Sequence, residues 1–209
     1  MKVSIIGFGE LGKQFFDYLK DELYSDFLFF DDNLFSSSEK NAFKFEDYIN
    51  DSYNQSLFFV SLGYKHLLRK HHILLELKAL DRKTPLYIHK TCYVNHSASI
   101  EDAVFIYPMC NIDKNVTLKS GTLLNNSVII SHDTTIGNCC YLSPGVVVCG
   151  HVSIGDYTFI GAGSIISNHV SIGKNVIIGI GTVVTKDIPD NVSVIGNPMR
   201  IIKEGIRIS

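Results

Sequence analysis

The sequence predicts a chain in two parts. Residues 1–84 read as a small parallel α/β unit, and residues 85–209 as a solenoid of six-residue turns. Three observations carry this. An aliphatic residue recurs at every sixth position through the second part. A small or β-branched residue follows each one at a fixed offset. A glycine-rich turn joins a strand to a helix at the start of the chain.

The aliphatic series runs Ile88, Val94, Ile100, Ile106, Ile112, Leu118, Leu124, Ile130, Ile136, Leu142, Val148, Ile154, Ile160, Ile166, Ile172, Ile178 and Val184, seventeen positions with no miss. Four residues after the first sixteen comes Cys92, Ala98, Val104, Cys110, Val116, Thr122, Val128, Thr134, Cys140, Val146, Val152, Thr158, Ser164, Val170, Val176 or Thr182. Neither a helix period nor strand alternation generates this spacing. It fits a triangular prism whose six-residue units are one short strand plus a corner. The bulky aliphatic points inward and stacks on its equivalent eighteen residues away, and the small residue also points inward, near a corner. Gly137, Gly155, Gly161 and Gly173 follow the aliphatic residue, where tight corner geometry is expected. Sixteen units give a little over five coils.

The first part has a different grammar. Val3–Ile6, Phe27–Phe30 and Leu57–Val60 are short apolar strands, and Lys65–Leu80 is an amphipathic helix on which His66, His71 and His72 read as surface residues. Gly7-Phe8-Gly9-Glu10-Leu11-Gly12 lies between the first strand and a helix running to Lys20. Backbone N–H groups at such a turn form an anion site. Asp31 and Asp32 end the second strand, where an acid would meet a ribose or base. The unit is too short for a full dinucleotide fold, so a mononucleotide sugar suits it better than NAD. The alternative is that the glycines only let helix pack on strand.

Composition narrows the partners. The chain has 209 residues, a net charge of -2 and 45% hydrophobic residues, which favours neither nucleic acid nor an anionic membrane. The N-terminal apolar run is too short to span a membrane and lacks a cleavage pattern, which points to the cytoplasm. Five cysteines without CxxC spacing fit reduced thiols, and the vicinal pair Cys139–Cys140 reads as packing.

Chemistry is sought on one column of corners. Asp133, His151, His169 and Asp187 are eighteen residues apart and should form a vertical ladder, with His132 in the adjacent column above Gly150 and Asn168. A metal site is disfavoured, because side chains stacked a coil apart point the same way instead of converging. His132 is the better candidate. Acyl transfer to an amine or hydroxyl needs a proton acceptor, imidazole titrates nearest neutrality, and Asp133 can orient it. The Gly150 N–H is a candidate oxyanion donor. Cys149 as nucleophile is the competing chemistry, with no base placed for it.

Across nearly its whole length the sequence resembles the bacterial sugar acetyltransferases that join a half-Rossmann βαβ domain to a left-handed parallel β-helix. These include sialic acid O-acetyltransferases and N-acetyltransferases of nucleotide-linked 4-amino-4,6-dideoxy sugars. The matching stretches are Ile5–Gly9, Phe30–Asp32, Asn125, Ser131–Asp133, Ile136–Gly137 and Val194–Pro198. The resemblance implies an acetyl-CoA-dependent enzyme with His132 as general base, Asp133 as its acid, and no metal. It implies coenzyme contacts at Gly150, Ala162, Ile180 and Lys186, with the segment from Lys186 to Arg200 bordering the adenine end. A UDP-, dTDP- or GDP-linked sugar would lie near Gly9, Asp31, Asp32 and Ser61, and Asn125 would share the cleft. Sites would lie between subunits of a homotrimer. Many relatives carry a second histidine nine positions after the first, where this chain has Tyr141. N-acylation is favoured over O-acylation by analogy, and a non-catalytic nucleotide-sugar-binding scaffold is the rival from another class.

Overall fold

The computed structural model describes residues 2–21 and 24–205. The chain divides into two compact units, Met1–Pro85 and Leu86–Ser209.

In the first unit, strands β1 (Lys2–Ile6), β2 (Asp26–Phe30), β3 (Ala42–Phe43) and β4 (Leu57–Val60) form one parallel sheet in the order β3-β2-β1-β4. Four of the five β1 residues and all of β4 are buried, as continuous apolar runs covered on both faces must be. Helices α1 (Glu10–Asp21) and α3 (Leu67–Ala79) follow β1 and β4. The helix expected from Lys65 begins at Leu67, because Tyr64–His66 form a 3-10 turn first. On it His66 and His72 are exposed and His71 is half-buried. β3 and the five-residue helix α2 (Asp32–Ser36) were not legible, being too short for any hydrophobic period. Gly12 is where α1 crosses the end of β1. A Cβ there would lie 2.4 Å from the Gly7 carbonyl oxygen, so only glycine lets the helix approach.

The second unit is a parallel β-helix. Seventeen two-residue strands, β5 (Tyr87–Ile88) to β21 (Val183–Val184), succeed one another every six residues and pair in parallel with the strand eighteen residues away. They sort into three sheets, the faces of the prism. From Ile106 to Val184 every aliphatic position of the six-step series is buried, and Val104, Val116, Val128 and Val146 beside them are fully enclosed. Ile88, Val94 and Ile100 are only partly covered, because the first coil has no coil beneath it.

Many fifth positions hold a buried hydroxyl or thiol instead of an alkyl group. Thr122 Oγ1 donates to the Gly137 carbonyl at 2.7 Å, Thr134 Oγ1 to Cys149 at 3.1 Å, Thr158 Oγ1 to Gly173 at 3.1 Å, and Cys140 Sγ to Gly155 at 3.2 Å. Each bond runs to a carbonyl fifteen residues ahead, so these side chains satisfy corner carbonyls that strand pairing leaves open.

Two details differ from expectation. The solenoid makes about six turns instead of a little over five. The additional rung is β22 (Val192–Ile195), which pairs with β20 (Ile177–Ile178) at Ile178↔Val194, a separation of sixteen residues, and so falls outside a strict six-residue count. The left-handed backbone is also not at Gly137, Gly155, Gly161 or Gly173. It falls three residues after each aliphatic position, from Ala103 through Asn115, Asp133, Cys139, His151 and His169 to Gly181, with φ between 48° and 72°. Gly137, Gly155 and Gly173 are glycine for another reason. A Cβ at each would lie 2.3–2.5 Å from the neighbouring coil. Among the described residues, no helix is long and apolar enough to cross a membrane.

Candidate active site

The corner after the six-stranded face carries His132, Asp133, Gly150, His151, Asn168 and His169. Left-handed backbone at Asp133, His151 and His169 (φ 56°, 59° and 62°) turns each N–H onto the coil below. Asp133 N donates to Lys114 O, His151 N to His132 O and His169 N to Gly150 O, at 3.0–3.1 Å. The column is therefore held in register by main chain, and its side chains start from fixed anchors.

The imidazole of His132 lies over Gly150. A Cβ on Gly150 would meet three atoms of that ring at 2.7–3.2 Å, so the glycine makes room for the histidine. His132 Nδ1 lies 2.8 Å from Asp133 Oδ2. Asp133 also accepts from Asn115 Nδ2 at 2.9 Å. The Asn115 bond, and after it the His132 bond, hold the Asp133 carboxyl below its usual range. Asp133 is thus ionised at neutral pH and accepts, so the imidazole proton sits on Nδ1. In the neutral imidazole Nε2 is then the lone-pair acceptor, with no partner among the described residues, on a side chain 41% exposed.

The ladder holds for Asp133, His151 and His169 and then stops. The rings of His151 and His169 stack with centroids 4.8 Å apart and 5° between planes. Asp187 leaves the column, its carboxylate accepting from Ser171 N at 2.8 Å where the six-residue spacing ends. The expected separation of the two columns does not hold either. The His151 ring stands edge-on to His132, centroids 5.1 Å apart, and its Nε2 is 4.0 Å from Asp133 Oδ2. These side chains converge because His132 and Asp133 reach toward the next coil from adjacent residues. Sequence spacing shows the columns but not the tilt of the rings.

The Gly150 N–H donates to Asn168 Oδ1 at 2.9 Å. Asn168 is exposed, so its amide covers this donor from the solvent side. The sequence located Asn168 beneath His132 but assigned it no role. Lys186, eighteen residues further on, lines a cavity of about 210 Å³ with Asp187, Ile188, Met199 and Arg200, a recess with two cationic groups and one carboxylate at the end of the same corner.

Four residues named from the sequence lie elsewhere on the prism, Tyr141 on the eight-stranded face and Asn125, Ala162 and Ile180 on the corner after it. Asn125 Nδ2 donates to the Tyr141 hydroxyl at 3.3 Å. Ala162 and Ile180 follow on that corner, and Ile180 is 76% exposed. Within one chain this group and the His132 group are on separate edges of the prism.

In the first unit the structure gives Asp31 a structural partner set. Its Oδ2 accepts from Phe8 N at 2.8 Å and its Oδ1 from Asn33 N and Leu34 N, so it clasps the glycine turn and caps α2. Asp32 accepts from Phe45 N at 2.9 Å. Ser61 is buried, and its hydroxyl donates to the Ile6 and Gly7 carbonyls. Gly9 differs, with open space where a side chain would be. It lines a cavity of about 260 Å³ with Phe8, Lys13, Asp31, Asn33 and Leu34.

Cys149 is partly exposed and Cys139 and Cys140 are buried. Burial pushes the Cys140 thiol up to about 12, which keeps it protonated and unreactive at neutral pH.

Residues 151–186 match the family model described as bacterial transferase hexapeptide (six repeats). The acetyltransferase domain of PglB from Neisseria gonorrhoeae, solved alone and with acetyl coenzyme A, is 26% identical with a TM-score of 0.86, over 96% of this chain and 98–99% of that one. The chain is an acyltransferase built on hexapeptide repeats. The acyltransferase shares its fold with PerB from Caulobacter crescentus, solved with CoA and GDP-perosamine, at 24% identity and TM-score 0.87, covering 97% of this chain and 98% of that one. WeeI from Acinetobacter baumannii has the same fold at 22% identity and TM-score 0.87, over 97% and 100% of the two chains. No curated protein sequence matches the acyltransferase.

Proposed function

We propose that the acyltransferase moves an acetyl group from acetyl-CoA to the amine of a nucleotide-linked 4-amino-4,6-dideoxy sugar, in surface polysaccharide or glycan assembly, with His132 as general base. One observation carries the reading. His132 has Nδ1 committed to an ionised Asp133 and Nε2 without a partner among the described residues, at an open corner. The amine attacks the thioester carbonyl while Nε2 accepts its proton. The tetrahedral oxyanion takes the Gly150 N–H once the exposed Asn168 amide swings away. The C–S bond then breaks, and the CoA thiolate takes up the proton.

Acetyl-CoA as donor is supported by the PglB domain, which was solved with it. Lys186 and Arg200 provide cationic groups suited to the phosphates of its adenine end. Three coils separate Lys186 from His132, roughly 14 Å at the spacing of paired strands. The cavity at Gly9 suits a nucleotide phosphate at the start of α1, whether the base is uracil, thymine or guanine.

Assembly follows from the same residues. Gly150 and Lys186 occupy one edge of the prism, and Ala162, Ile180, Asn125 and Tyr141 another, so a coenzyme touching both sets lies between two copies. Ile129, Val147, Ile165 and Val183 form an outward apolar stripe on the face leading to the His132 corner. A homotrimer would cover this stripe and complete each site.

The test is thiol release from acetyl-CoA with UDP-, dTDP- and GDP-linked 4-amino sugars and with sialic acid as acceptors. Turnover of one amino sugar is expected. Turnover of sialic acid alone would reassign the enzyme to O-acetylation. No turnover, together with no acetyl-CoA binding by calorimetry, would leave a binding scaffold.

A further inference from the structure

His132, Asp133 and His151 converge, contrary to what their spacing in the sequence suggests. One ligand atom from each lies within 4.8 Å of the other two. In a tetrahedral zinc site, donors about 2.0–2.1 Å from the ion sit about 3.3 Å from one another. Asp133 Oδ2 is already 2.8 Å from His132 Nδ1 and 4.0 Å from His151 Nε2, and no two of the ligand atoms are more than 4.8 Å apart, so closure needs at most about 1.5 Å. All three side chains are 32–48% exposed and able to make that movement. The anchors are rigid, since the main chain of Asp133 and His151 is bonded to the coil below each. His169 stacks flat on His151 and holds its ring toward the pair. Two imidazoles and one carboxylate form a donor set that selects zinc and its neighbours over magnesium or calcium.

We infer that this corner is an inhibitory site for a divalent transition metal, held by His132, Asp133 and His151 with a fourth position open to solvent. Coordination would remove the base in either geometry. At Nε2 the ion occupies the lone pair that accepts the proton. At Nδ1 it takes the place of the single imidazole proton, which moves to Nε2 by exchange with solvent and removes the acceptor just the same. The inhibition rests on the proposed role of His132, but the binding of metal does not.

Titration of metal-free protein with zinc chloride by calorimetry separates the two. One ion per chain is expected, with affinity at least tenfold weaker in His151→Ala and unchanged in Cys149→Ala. Cobalt chloride in place of zinc should give the visible bands of a four-coordinate site, lost in His151→Ala. In the thiol-release assay, zinc should inhibit the native enzyme, while His151→Ala keeps turnover and needs at least tenfold more zinc. The site is refuted if zinc does not bind, if His151→Ala binds it unchanged, or if Cys149→Ala alone abolishes binding. Zinc bound as described by a chain with no acyl transfer would refute the proposed function and leave the site standing.

Discussion

His132 and Gly150 form a single unit in steric terms. The ring needs the space that a Cβ would fill, so Gly150→Ala should displace the imidazole without touching the core. We expect at least a tenfold loss of kcat with unchanged circular dichroism and melting temperature. An unchanged rate would mean that the ring has another productive position. His132→Asn should reduce turnover by about 10²–10⁴-fold, the usual contribution of a general base, with an intact solenoid. A loss of less than tenfold would remove His132 from the reaction. Asp31 and Ser61, expected beside a nucleotide, both hold main-chain partners, because a short polar side chain beside a tight turn satisfies the nearest orphaned N–H or C=O.

At the scale of a strand and its corner, the solenoid is held by two kinds of inward side chain with different chemistry. The aliphatic rungs contribute burial, and truncating one, as in Leu124→Ala, should cost about 2–5 kcal/mol. The buried hydroxyls satisfy main chain. Thr122 donates to Gly137 O and accepts from Cys140 N at 3.1 Å, so Thr122→Val strands a carbonyl and an amide inside the prism. That change keeps the volume and should still destabilise by about 1–3 kcal/mol. Thermal unfolding followed by circular dichroism checks it, and a Thr122→Val protein as stable as the native one would show that these bonds carry no net weight. The six-residue period of the aliphatics was fully legible, since a one-dimensional repeat writes its geometry into spacing. The corner conformation was not. Left-handed backbone falls on Asp133, Cys139 and His151 as readily as on Gly145, so residue type does not mark it.

For the molecule as a whole, the open question is how two edges of one prism serve one reaction. The outward stripe provides a direct test. Ile129 and Ile165 are 42% and 43% exposed in the single chain, so aspartate at both should leave the fold intact. If the stripe is the subunit contact, Ile129→Asp/Ile165→Asp should elute as a folded monomer with acyl transfer abolished, read by light scattering and the thiol-release assay. A monomeric double variant with full activity would place the whole site in one chain.

The sequence by itself determined the solenoid, the division into two parts, and the neighbourhood of His132, Asp133 and Gly150. Each follows from periodicity, and periodicity survives in one dimension because every coil packs only on its neighbours. Tertiary structure alone decided which polar atoms are already satisfied. It tied Asp31 to the glycine turn, set Asn168 across the Gly150 N–H, and turned His151 toward His132. Those outcomes depend on rotamers and on left-handed backbone at the corners, which are settled by contacts between coils and leave no mark in the spacing of residues along the chain.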